Sequence, residues 1–236
     1  MENLQTLSAI IQCCTEKMAL YKTIESFRNY YPSEFITIVS DNCEDFSEIS
    51  RNFDCEYIYS PIKANPGGFE NIESAKEYLK RIYDHCKISK SDYVVLLEPD
   101  VTTLRKVKYF PKVCGGPRWN HLSKNLNSYI NNKLNTNREY GYAMCGGSCF
   151  NRKIFIKCYE DNKINFEQLK IIDDSSVRFG DIILTLIFIL NGYEYEIWTE
   201  TSEKNHPLSE FKILRDSAFD HQDKYWYGKP FIVKEI

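Results

Sequence analysis

A chain of 236 residues, 43% of them hydrophobic, is long enough to bury one sizeable α/β core. Its 30 Lys and Arg against 33 Asp and Glu leave a formal net charge of -3, a balance that argues against a dedicated nucleic-acid binder, which needs a basic face. The longest apolar run, 182–190, is too short to cross a bilayer, and the N-terminus lacks a basic segment followed by an apolar stretch. The expectation is a cytoplasmic protein with no membrane span.

Nine cysteines are an odd count, and no pair of CxxC motifs occurs. That pattern predicts free thiols in a reducing compartment, with no disulfide. Cys145 and Cys149 flank a Gly pair, but no second ligand pair follows at zinc-finger spacing. The bias towards Asn, Ile, Lys and Tyr points to an AT-rich genome, such as that of a large DNA virus or a parasite.

In chain order, LSAIIQCC (7–14) is a short apolar run and predicts a buried strand. Residues 18–30 set Leu20, Ile24 and Phe27 on one helical face. FITIVS (35–40) and CEYIYS (55–60) predict two more strands, the second ended by Pro61 and the NPGG segment. Residues 69–86 place Ile72, Ala75, Leu79 and Ile82 at helical spacing, and DYVVLL (92–97) predicts a fourth strand. Strands alternating with helices predict βαβ units and a parallel sheet. Residues 124–139 are polar and Asn-rich, an exposed helix or a flexible loop. YAMCGGSCF (142–150) is small and apolar. Residues 177–198 read as a loop, a buried helix ending at Asn191-Gly192, and a strand. The stretch 201–236 is polar and aromatic and holds His206 and His221.

Four features carry candidate chemistry. LLEPD (96–100) delivers Glu98 and Asp100 just beyond a parallel strand, where ligands of open α/β sheets bind. Such a pair can hold a hard cation, or can be a solvated turn. Asp41 ends another strand, where it can accept from a base or ribose, or form an Asx-turn. KANPGGF (63–69) permits close backbone approach to a phosphate, or is simply a turn. Asp181, in FGD (179–181), opens the buried helix, as a cap or as a carboxylate held ionised for base catalysis. Trp119 could stack on a sugar face or sit in the core.

Taken in order over residues 7–200, these features resemble the inverting GT-A glycosyltransferases, especially the family-2-like group. IIQCCT (10–15) stands where that group has IIPTYN, and IVSDNC (38–43) where it has VVDDGS. Asn65-Pro66-Gly67-Gly68 matches N-x-G, and Glu98-Pro99-Asp100 matches D-x-D. CGGSCFNRKIF (145–155) matches the Gly-rich segment, and residues 179–197 match the acidic helix start, Gly-Tyr pair and strand. The chain departs with Gln12 for Pro, Thr15 for Asn, Glu98 for the first Asp, and Gly180 for the first helix acid.

The resemblance implies a GT-A, Rossmann-like fold with a central, mostly parallel sheet flanked by helices. It implies one domain over 1–236: a nucleotide-binding half (1–100), an acceptor half (101–200) and a C-terminal extension (201–236). It implies a nucleotide-sugar donor, a UDP-sugar first, with deoxythymidine and guanosine open as bases, together with Mn²⁺ or Mg²⁺ and a glycan, lipid-linked or protein acceptor. Asp181 would be the catalytic base, with Asp173 and Asp174 as alternatives. Thr15, Asp41, Asn65, Gly67, Glu98, Gly146 and Gly147 would line the donor site. Asp100 and His206 would hold the metal, with His221 in place of His206 as the alternative. A retaining transferase and a non-catalytic nucleotide-sugar-binding module are the competing expectations. A nucleotidyltransferase is disfavoured because residues 12–20 contain no glycine.

Overall fold

The computed structural model describes residues 5–64, 68–117, 120–142, 144, 146–203 and 217–221. The first half alternates as expected: β1 (Leu7–Cys13), α1 (Lys17–Tyr30), β2 (Ile36–Asp41), α2 (Ser47–Asn52), β3 (Glu56–Ser60), α3 (Ile72–Ile88) and β4 (Tyr93–Leu97). Short strands then dominate: β5 (Val101–Thr103), β6 (Cys114–Gly116) and β7 (Asn120–His121). α4 (Lys124–Leu134), β8 (Gly141–Tyr142), β9 (Cys149–Asn151), α5 (Arg152–Glu160) and α6 (Phe166–Asp173) follow. The last described elements are α7 (Gly180–Ile189), β10 (Tyr195–Ile197), β11 (Thr201–Glu203) and β12 (Phe219–His221).

Seven strands form the main sheet, in the order β10-β6-β9-β4-β1-β2-β3. All run parallel except β9, which is antiparallel to both β4 and β6. Every residue of β1, β2 and β4 is buried, as expected of parallel strands covered on both faces. Alternate side chains of β1 feed two cores. Ile10 joins the one built with α3, α5 and α7, and Leu7, Ala9 and Ile11 join the one built with α1. α7 is apolar nearly all round and is correspondingly interior. Gly192, at φ +82°, lets the chain turn after it towards β10.

The chain winds outward through β1, β2 and β3, then returns to place β4 on the other side of β1. That reversal opens a crevice at the carboxyl ends of β1 and β4, the place where open α/β sheets bind ligands. A second, three-stranded sheet, β11-β12-β5, stands there.

The cysteine expectation needs correcting. Cys14 and Cys43 form a disulfide that ties the segment after β1 to the segment after β2. The reducing-compartment argument counted cysteines, whereas the bond depends on two adjacent strand ends that only the sheet brings together. The other described cysteines carry free thiols, and all but Cys55 are buried. Burial raises the Cys13 and Cys158 thiols to about 12. No described helix is long and apolar enough to cross a membrane.

Candidate functional site

β4 runs out into Glu98-Pro99-Asp100, where Pro99 offers no N–H to continue the ladder. The Val101 N–H donates to the Glu98 carbonyl at 3.0 Å and turns the chain into β5. β5 pairs antiparallel with β12, and the register sets His221 opposite Val101, one residue from Asp100. His221 Nε2 lies 3.3 Å from Asp100 Oδ1 and 3.5 Å from Glu98 Oε2. One potential ligand atom from each of the three residues falls within 4.8 Å of the others. Among the described residues, neither buried carboxylate oxygen of Asp100 has a hydrogen-bond donor. Two carboxylates beside an imidazole, with one carboxylate so placed, form a site that could hold a cation.

The small-residue segment closes over this cluster. Leu96 N–H donates to the Ser148 carbonyl at 2.8 Å, and Gly147 N–H to the Leu96 carbonyl at 2.7 Å. Gly146 therefore rests on the acidic pair. A Cβ there would come within 3.0 Å of Glu98 Cγ and 3.1 Å of His221 Nε2, so any larger residue would have to push these side chains aside by a few tenths of an ångström. Gly147 faces elsewhere. It has φ +82°, a Cβ would meet Thr201 Cγ2 at 2.5 Å, and its carbonyl accepts from Thr201 Oγ1. The structure thus places Gly146 at the cluster and Gly147 in a packing contact with β11.

Asp181 sits in the first turn of α7, but Phe179 holds the N-cap position, so Asp181 is not the cap. Thr185 Oγ1 donates to the Asp181 carbonyl at 2.8 Å and accepts from Met144 N–H at 3.4 Å. The segment leading to Gly146 therefore starts against the first turn of α7. Of the alternatives, Asp174 is held by Arg178, and Asp173 accepts from Ser175 Oγ at 2.8 Å.

At the end of β2, Asp41 is buried in a polar network centred on Arg81 of α3. Arg81 Nη1 donates to Asp41 Oδ1 at 2.8 Å and to Gln12 Oε1 at 3.0 Å. Its Nη2 donates to Ser60 Oγ at 2.7 Å and to the Ile62 carbonyl, and its Nε to Glu77 Oε1 at 3.2 Å. Ala64 N–H also donates to Asp41 Oδ1, at 2.6 Å. Thr15 lies exposed beyond β1, its hydroxyl donating to Glu16 Oε1 at 2.8 Å. Asn65, Gly67, Trp119 and His206 lie outside the described residues.

The structure thus brings together Glu98, Asp100, His221 and Gly146, with His221 rather than His206 as the described imidazole. Sequence reasoning missed Arg81 and the full part played by Gln12. The available signal was Gln12 itself, a polar residue inside an otherwise apolar buried strand.

No protein-family model matches the chain, and no curated protein sequence matches it. Solved structures do. A crystal structure of galactosyltransferase LgtC with donor and acceptor sugar analogues superimposes with a TM-score of 0.57, at 13% identity, over 91% of this chain and 86% of that one. An active-site mutant of LgtC gives a TM-score of 0.53 at 12% identity, over the same shares. The chain has the GT-A glycosyltransferase fold.

Proposed function

We propose that the protein transfers a sugar from a nucleoside diphosphate sugar, with uridine the favoured nucleoside, to a hydroxyl of a glycan, lipid-linked or protein acceptor. The observation that carries this reading is the Glu98–Asp100–His221 cluster at the carboxyl edge of a GT-A sheet. Two hard carboxylates and one imidazole suit Mn²⁺ or Mg²⁺, and the undonated Asp100 oxygens supply the charge such an ion needs. A divalent ion held there would neutralise the pyrophosphate and assist its departure.

The chain's own residues supply the rest. Asp181, in the first turn of α7, takes the proton of the acceptor hydroxyl as it attacks the anomeric carbon. Gly146 keeps the wall beside Glu98 thin enough for the donor sugar. Asp41 turns its second carboxylate oxygen, which takes no hydrogen bond from any described residue, to the base. One displacement with Asp181 as base inverts the anomeric centre.

Calorimetry with UDP tests the cluster. Binding should require Mn²⁺ or Mg²⁺, and Asp100→Ala should weaken it at least about 100-fold, the order expected when a buried charge loses its partner. Equal affinity of parent and variant with Mn²⁺ present would remove Asp100 from the site. Asp181→Asn should keep donor affinity and lower turnover by about 10²–10⁴-fold. Anomeric NMR of the product reads the stereochemistry, and retention would take the base role from Asp181.

A further inference from the structure

Gln12 points to how the base is chosen, an inference that rests on the proposed nucleotide-sugar reading. Its side chain is on the α3 face of β1 near the carboxyl end of the strand and is 8% exposed. Arginine can only donate, so the Gln12 atom facing Arg81 is the oxygen, and the amide nitrogen points away. That nitrogen is buried and finds no acceptor among the described residues. Asp41 shares the same Arg81 Nη1, so the two side chains are neighbours. One of Asp41's oxygens is saturated by Arg81 and Ala64 N–H, and the other receives nothing from the described residues. Among the described residues, the network thus ends in an amide nitrogen with no acceptor beside a carboxylate oxygen with no donor, at the switch point of the sheet.

An unsatisfied buried amide is costly, and native interiors rarely keep one without a use. The complement of a donor beside a carboxylate is a carbonyl beside an N–H. We propose that Gln12 is the specificity-determining residue for the base, donating through Nε2 to a ring carbonyl of uracil while Asp41 accepts from the adjacent ring N–H. Arg81 is the positioning residue, because it fixes which end of the Gln12 amide faces the base. Cytosine presents a bare ring nitrogen and an exocyclic amine on that edge, and its amine is a weaker donor to a carboxylate than an imide N–H.

The test measures UDP, CDP and inorganic pyrophosphate binding, each with Mn²⁺, to the parent, Gln12→Glu and Gln12→Met. Gln12→Glu keeps the oxygen that Arg81 needs and replaces only the donor, so the fold has its anchor; circular dichroism and the melting temperature check this. Both variants should bind UDP about 10–100-fold more weakly, the range for losing one buried hydrogen bond and stranding its partner, and bind pyrophosphate as the parent does. Gln12→Glu should also lose the preference for UDP over CDP, because its carboxylate repels the uracil carbonyl and accepts from the cytosine amine. Unchanged UDP affinity in folded variants that still bind pyrophosphate overturns the role of Gln12 and leaves the site reading standing. A parent protein that binds neither UDP nor pyrophosphate overturns the site reading, and this inference with it.

Discussion

Asp41 and Asp100 occupy comparable places, at the carboxyl ends of the two strands that flank β1, yet their surroundings are opposite. Asp41 has its counter-ion built in: the Arg81 guanidinium, itself 2% exposed, satisfies one carboxylate oxygen and ties in Gln12, Ser60 and Glu77. Asp100 is equally buried but has a second carboxylate and an imidazole for neighbours, and among the described residues no donor on either oxygen. A chain that can bury an arginine beside one aspartate could have done so beside the other. Where the positive charge is permanent, the carboxylate organises the protein. Where it is missing, the carboxylate is open to the cation that the proposed function requires.

The comparison can be broken at three points. The largest effect should come from Arg81→Met, which leaves Asp41 buried without its cation. Denaturant unfolding should show a loss of about 3–5 kcal/mol. A loss below about 1 kcal/mol would mean that the network is ornamental. Next comes the disulfide, which staples the Asp41 side alone. Closing a loop with 29 residues of separation stabilises by roughly 3–4 kcal/mol on chain-entropy grounds. Dithiothreitol should lower the unfolding free energy accordingly, and denatured, unreduced protein should titrate seven thiols, the nine cysteines less the bonded pair. Nine thiols would show the staple absent. Smallest, and opposite in sign, should be Asp100→Asn. Measured without metal at pH 8, above the ordinary histidine range, it should raise stability by about 1 kcal/mol by removing an uncompensated charge. Destabilisation there would show that Asp100 already has its partner.

How much of this was legible in the sequence follows from how far each feature reaches along the chain. β1 to β4 and α3 announce themselves through local runs and periodicity, and the buried helix α7 and its Gly192 stop were visible in the same way. α2 was not picked out, because its six residues, SEISRN, hold only one apolar side chain, Ile49, and so carry no apolar stripe. The strands β5, β11 and β12 have three residues each, too few for alternation to register. Hence the acidic half of the cluster could be placed, while its imidazole was expected first at His206 and only secondarily at His221. His221 is brought to the acidic pair by β12 pairing with β5, a contact between distant segments, while His206 lies outside the described residues. Arg81 was hidden differently. It sits on a helix face already assigned to the core, and a buried arginine is uncommon enough that pattern reading passes over it.

The pairing of β5 with β12 also bears on when the protein can work. During synthesis the first four strands and their helices emerge together and can collapse on their own neighbours, since their contacts are short in sequence. Glu98 and Asp100 are then already in place, but His221 is not yet made. On the proposed metal-site reading, the third candidate ligand arrives only when β12 docks against β5, so a nascent chain can fold over its first four strands before the cluster is complete. On that reading, completion of the cluster is a late docking event rather than a gradual gain.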